Sequence, residues 1–243
     1  MSRFARGWPL LALLLAVACD RAQTRKSPET PVPERSSGGA ADTAPAVASS
    51  PALSRIVFLG DSLTAGLGIG KDQSVPALIQ ERLRREGYAY DVVNAGNSGD
   101  TSDGGLSRLD WSLAGNVAIL VVELGANDGL RGISPARTRQ NLESIVGTAK
   151  QRGITVLLTG MEAPPNYGPD YIAGFHKVYP ELAAQYHVAL VPFLLQNVAG
   201  NASLNQRDGI HPTPEGARIV ADNVWGVLKP IAEAQAHRGR PGS

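Results

Sequence analysis

The 243-residue sequence holds a single cysteine, Cys19. One thiol forbids an internal disulfide framework and any zinc cage built from several cysteines. Aromatic residues make up only 5% of the chain, too few for the stacking platforms that grip single-stranded nucleic acid. A charge excess of either sign is also missing: 23 Lys and Arg stand against 22 Asp and Glu, for a formal charge of +1. That balance removes the basic footprint of a nucleic-acid binder, so no nucleic-acid partner is expected. The four histidines are scattered, with no cysteine or carboxylate pair beside them, so no metal site is read from them. Gly66-x-Gly68-x-Gly70 lacks the spacing of a dinucleotide fingerprint, and no cofactor is inferred. What is present, 43% apolar and 19% charged residues, is ordinary globular protein of a length that allows one large domain or two small ones.

The N-terminus reads as an address. Arg3 and Arg6 precede an apolar run over residues 8–18, too short to span a bilayer but suited to the core of a secretory signal. The run ends in Ala16-Val17-Ala18, a small-x-small cleavage pattern, directly before Cys19. Leu15-Ala16-Val17-Ala18-Cys19 resembles a bacterial lipobox, with Ala16 where leucine is usual, and marks Cys19 as a lipid-attachment site. The expected location is therefore the bacterial cell envelope or periplasm, lipid-anchored through Cys19, with simple secretion after Ala18 as the alternative. Residues 19–53, rich in Pro, Ser, Ala and Thr without apolar periodicity, read as a flexible tether. Residues 232–243 read as a disordered tail, which leaves 54–231 as one folded body.

That body alternates strand and helix patterns. Short apolar runs at 55–59, 90–93, 117–122, 154–158 and 188–191 predict five strands. The near-continuous run at 117–122 is that of a strand covered on both faces. Helix spacing fills 75–85, with Ser74 as N-cap and Pro76 in the first turn. It returns after Ser134-Pro135, where Leu142, Ile145, Val146 and Ala149 share a face, over 171–186, and after Thr213-Pro214-Glu215, where Ala217, Val220, Ala221, Val224 and Leu228 do. Strands interleaved with amphipathic helices imply an α/β fold in which helices sandwich a five-stranded parallel sheet. Ligands in such folds bind beyond the carboxyl ends of the strands.

Four polar, glycine-punctuated segments fall at those ends. They are Gly60-Asp61-Ser62-Leu63, Ser98-Gly99-Asp100-Thr101-Ser102, Gly125-Ala126-Asn127-Asp128 and Asp208-Gly209-Ile210-His211-Pro212. A serine hydroxyl is a weak nucleophile that needs a base, and histidine oriented by a carboxylate supplies one. Asp208 and His211 stand three residues apart in a tight loop, which lets the carboxylate reach the nearer ring nitrogen. Ser62, just past a buried strand, presents its oxygen at the sheet edge. Backbone amides of Ser62 and Gly99 and the side-chain amide of Asn127 could supply three donors to an oxyanion. Asp61 reads as a structural hydrogen-bonder, Asp128 as a brace for the nucleophile's loop, and Gly96 and Gly125 as turn glycines needing unusual backbone angles. His176 and His187 read as surface or packing residues. Residues 161–171 form a candidate substrate loop.

These four blocks resemble the Ser, Gly, Asn and His blocks of the SGNH (GDSL) hydrolases. Asn127-Asp128-Gly129-Leu130-Arg131-Gly132 and Pro165-Asn166-Tyr167-Gly168 are similar to the bacterial thioesterase I/lysophospholipase and arylesterase subfamily. The resemblance covers nearly all of residues 55–230. It implies a flavodoxin-like three-layer α/β/α fold with catalytic Ser62, Asp208 and His211 and an oxyanion hole of Ser62, Gly99 and Asn127. It implies acyl esters or thioesters as small-molecule substrates, no metal and no cofactor. A lipid anchor departs from the usual soluble periplasmic pattern, and the scarcity of bulky apolar residues over 193–207 leaves acyl length open. The alternatives are an envelope carbohydrate O-acetylesterase and an inactive lipid-binding lipoprotein. Oligomeric state is not legible.

Overall fold

The computed structural model describes residues 53–238. The signal segment, Cys19, the tether apart from Leu53, and residues 239–243 lie outside the described residues. Five strands, β1 (Ser54–Gly60), β2 (Tyr90–Gly96), β3 (Val117–Glu123), β4 (Thr155–Thr159) and β5 (Ala189–Val191), pair in parallel in the order β2-β1-β3-β4-β5. Ile119, Leu120, Val121 and Val122 of β3 are all fully buried, as a continuous apolar run with cover on both faces must be. β2 runs three residues past the expected Val93. Asn94, Ala95 and Gly96 are poor strand formers, held extended by pairing with Phe58, Leu59 and Gly60 of β1.

The right-handed crossover rule places the helices. Moving from β1 outward to β2, past the one-turn α1 (Ser62–Ala65), puts α2 (Val75–Arg85) on one face. Every later crossover runs the other way; besides the one-turn helices α4 (Leu109–Ser112) and α5 (Ala126–Leu130), these carry α3 (Ser102–Ser107), α6 (Pro135–Gln151) and α7 (Pro169–Tyr186), which pack together on the opposite face. The last helix, α8 (Pro214–Arg238), returns beside α2. The apolar faces read from the sequence are the buried ones: Leu142, Ile145, Val146 and Ala149 in α6, and Ala217, Val220, Ala221, Val224 and Leu228 in α8. This three-layer α/β/α architecture, the flavodoxin-like order, reverses its direction between β1 and β3, where such sheets open a ligand crevice.

Two terminal details differ from expectation. Ser74 stands at the N-cap of α2, but its hydroxyl donates to Lys71 O (2.8 Å) and caps no helix amide. The helix itself spans the expected residues, begun by Pro76 in its first turn. The body does not end at Ile231, because α8 continues to Arg238. Ala232 is fully buried, its carbonyl accepts the Tyr90 hydroxyl (3.0 Å), and Glu233 and Gln235 bond Tyr88 and Thr155. Those partners lie more than seventy residues away in sequence, so local composition carries no trace of them.

Candidate active site

β1 is apolar and buried from Ile56 up to Gly60, where the chain turns into the four-residue helix α1 (Ser62–Ala65). Asp61 is its N-cap, and its Oδ1 accepts the Leu63 amide at 3.0 Å. This turn is held from below by Glu123 at the end of β3. Glu123 Oε2 accepts Asp61 N and Thr64 N, each at 3.2 Å, and Thr64 Oγ1 at 2.8 Å. Ser62 is thereby flanked by anchored neighbours and is itself only 8% exposed.

The imidazole arrives from the loop between β5 and α8. Asp208 Oδ1 accepts the amides of Ile210 and His211 at 3.0 Å, which folds the loop around its own carboxylate. Asp208 Oδ2 lies 2.8 Å from His211 Nδ1, and His211 Nε2 lies 2.8 Å from Ser62 Oγ. The ring hydrogen bond from His211, then the two amides, hold the Asp208 carboxyl down at about 2. An ionised Asp208 can only accept, so Nδ1 carries the ring proton and Nε2 is free to accept from the Ser62 hydroxyl. Gln206 clamps the loop to the turn that follows α1, donating to Leu67 O (2.7 Å) and Pro212 O (2.9 Å).

Gly99 and Asn127 come from the ends of the two strands flanking β1. The backbone N–H groups of Ser62 and Gly99 bond no acceptor among the described residues, and both residues line one cavity. Asn127 lines it too, but its amide is not idle. Nδ2 donates to Asp61 Oδ2 (3.1 Å) and Asp100 O (3.0 Å), so both of its hydrogens are engaged at rest. An oxyanion must draw one of them away or share it.

Two of the lesser readings change, those of Asp128 and Gly96. Asp128 braces the loop after β2, not the nucleophile's loop: its carboxylate accepts Ser102 N (2.7 Å), the Ser102 hydroxyl and Thr138 Oγ1 (3.1 Å). Gly125 has the left-handed backbone expected, with φ of 111°, and a Cβ there would stand 2.0 Å from the Tyr179 hydroxyl. Gly96 needs no unusual angle; a Cβ there would meet Ala65 N at 2.3 Å, so close approach of α1 demands the glycine. His176, itself outside the cavity, bonds Glu162 (2.7 Å) in the cavity wall, and His187 caps α7 in a left-handed conformation.

The cavity above Ser62 measures about 660 Å³, within the range of small-molecule sites. His211 and Asn127 stand at its polar floor, and its walls are chiefly apolar. The candidate loop contributes Met161, Ala163, Pro164 and Pro165, and the segment 193–207 contributes Phe193, Leu195 and Ala199. Leu67, Leu130 and Ile210 are each more than two-fifths exposed and stand in its walls, where they shape its opening.

Sequence reading missed three residues that hold this geometry: Glu123, Gln206 and Arg108. Glu123 carried a signal, a carboxyl residue closing an otherwise apolar strand, since buried acids are rare without a purpose. Arg108 reaches Asp100 Oδ2 (2.6 Å), Ala95 O (2.7 Å) and Gly60 O (2.8 Å), tying the loop after β2 to the ends of β2 and β1. Neither Arg108 nor Gln206 differs on paper from a surface polar residue.

A doubly wound parallel sheet with a carboxylate–imidazole–hydroxyl chain beyond its carboxyl edge defines a serine hydrolase of the three-layer α/β/α class. The chain belongs to the GDSL-like lipase/acylhydrolase family, whose model matches residues 58–219. It is 50% identical over 181 residues to esterase TesA of Pseudomonas aeruginosa, covering 74% of this chain and 90% of that protein. It is 38% identical over 181 residues to thioesterase 1/protease 1/lysophospholipase L1 of Escherichia coli K12, covering 74% and 86%. The crystal structure of TesA superposes with a TM-score of 0.70 at 50% identity, covering 73% of this chain and 99% of that one.

Proposed function

We propose that the protein is a cofactor-free serine esterase that hydrolyses carboxylic esters or thioesters of acyl chains through an acyl-enzyme. The observation that carries this reading is the unbroken chain Asp208–His211–Ser62, with both steps at 2.8 Å, at the floor of a largely apolar cavity. Ser62 Oγ attacks the acyl carbonyl while His211 Nε2 takes its proton. Asp208 keeps the imidazole in the required tautomer and stabilises the imidazolium. The oxyanion forms against the unpaired amides of Ser62 and Gly99, joined by the Asn127 amide. His211 then protonates the leaving alcohol or thiol, and a water activated by the same base releases the acid.

The cavity's size and apolar walls favour acyl chains longer than acetyl over the carbohydrate O-acetylesterase alternative. The relatives' names, an esterase and a thioesterase/lysophospholipase, agree with that preference. For location, the run of residues 8–18 ending at the chain's one cysteine supports export and lipid attachment at Cys19. Mass spectrometry of the mature N-terminus tests that step.

The test of the activity is Ser62→Ala against a panel of aryl esters, acyl thioesters and lysophospholipids of graded chain length. The variant should fold, lose turnover and lose labelling by a fluorophosphonate probe. Intact labelling in the variant overturns Ser62 as nucleophile.

A further inference from the structure

Beneath the nucleophile turn lies a carboxyl pair that the proposed reaction does not use. Glu123 is 3% exposed and Asp61 fully buried. Glu123 Oε2 gathers three donors, the amides of Asp61 and Thr64 and the Thr64 hydroxyl. Its other oxygen, Oε1, is equally buried and meets no donor. No Lys, Arg or His among the described residues pairs with it. As a carboxylate, Glu123 would bury a charge beside a second acid and leave one oxygen bare. With a proton it becomes a donor, and the carboxyl its side chain meets is that of Asp61, whose amide it already holds.

We propose that Glu123 is a neutral positioning residue: its protonated carboxyl donates to Asp61 while its other oxygen fixes the amides on either side of Ser62. The proposal rests on Ser62 as nucleophile and on Asn127 as an oxyanion donor. Asp61 relays the effect, because its remaining acceptor capacity goes to Leu63 N (3.0 Å) and Asn127 Nδ2 (3.1 Å). One proton on Glu123 therefore sets two things: the direction of the Ser62 turn, and the plane of the Asn127 amide. Burial first, and then the Asp61 charge, push the Glu123 carboxyl well above its usual range. Burial lifts Asp61 to about 6 against its hydrogen bonds from Leu63, Glu123 and Asn127 and the charge of His211. Tyr179 of α7 also faces the pair, its hydroxyl committed to Leu124 O at 2.9 Å. Together the two acids hold one proton as a unit.

The experiment compares Glu123→Gln and Glu123→Leu in the full chain, on a soluble aryl ester. Glutamine reproduces the neutral acid, with an acceptor on one side and a donor toward Asp61 on the other. It should fold and keep kcat within about threefold of wild type, whereas leucine should lower kcat about tenfold or more with KM little changed. Infrared spectra of the wild type at neutral pH should show a protonated-carboxyl carbonyl band that Glu123→Gln lacks. Should the leucine variant not fold, glutamine turnover and the infrared band decide alone. A glutamine variant that unfolds or loses tenfold in kcat, or a wild type without that band, overturns the proposal. Fluorophosphonate labelling keeps the layers apart: a wild type that does not label at Ser62 sinks the esterase mechanism itself, independently of Glu123.

Discussion

Arg108→Leu should damage stability and turnover together. The guanidinium sits at the end of α3, one-fifth exposed, and pairs with an Asp100 carboxylate that is 13% exposed. Its other nitrogens bond the carbonyls of Ala95, next to last in β2, and Gly60, the last residue of β1. Removing one partner of a buried ion pair costs about 3–5 kcal/mol, most of it from the charge left unpaired. Here the lower end applies. Asn97 Nδ2 still donates to Asp100 (2.6 Å), Asn97 N still donates to Gly60 O (3.0 Å), and the pair is partly wet. The expected loss is therefore about 3 kcal/mol, a substantial fraction of the roughly 5–15 kcal/mol that stabilises a domain. Urea unfolding followed by circular dichroism should show a lower midpoint with an unchanged m-value. Gly99 adjoins Asp100, so kcat should also fall about tenfold from its displacement, with KM little changed. Arg108→Lys should recover the ion pair but not the fork to two carbonyls, and fall between the two. A loss below about 1 kcal/mol, or full turnover in Arg108→Leu, would refute this account of the loop junction.

Asp208→Asn should lower kcat by roughly 10²–10⁴ at every pH tested, since the carboxylate, held near 2, is ionised throughout the working range; a mere shift of the acid limb contradicts it. The same depressed value means that Asp208 stabilises the fold above its ordinary value of 3.8 and loses that contribution as pH falls toward 2. The variant's stability should therefore vary less over that window in acid unfolding. Asn127→Ala should reduce kcat by about 10²–10³ with little change in KM, and unchanged turnover would leave its amide committed to Asp61 and Asp100 during catalysis. Ala199→Phe, intruding on the cavity wall, should lower kcat/KM for long acyl esters while sparing acetyl esters, at about 0.8 kcal/mol for each methylene that no longer fits. Equal losses for all chain lengths would place the acyl chain elsewhere.

Legibility followed the range of the interactions. Strands such as 117–122 and the helix over 75–85 were readable because burial on two faces, or on one face of a helix, writes its period into neighbouring residues. Ser62, His211 and Asp208, which the fold strings together, were readable because each sits in a short block whose chemistry is local, Asp208 and His211 above all. Nothing in those blocks says that Asn127 spends both amide hydrogens at rest, or that Gly96 is needed for the approach of α1 rather than for its own backbone angle. Arg108 joins carbonyls thirteen and forty-eight positions away, and Glu123 reaches Asp61 across sixty-two. Ala232 reads as tail because its partner, Tyr90, lies 142 residues distant. Local sequence determined the elements and the side chains that meet beyond the sheet, since periodicity and short-loop chemistry are nearest-neighbour properties. The tertiary structure alone decided how those groups are held, because a buried acid, a spent amide or a bridging guanidinium takes its role from atoms that only folding brings within 3 Å.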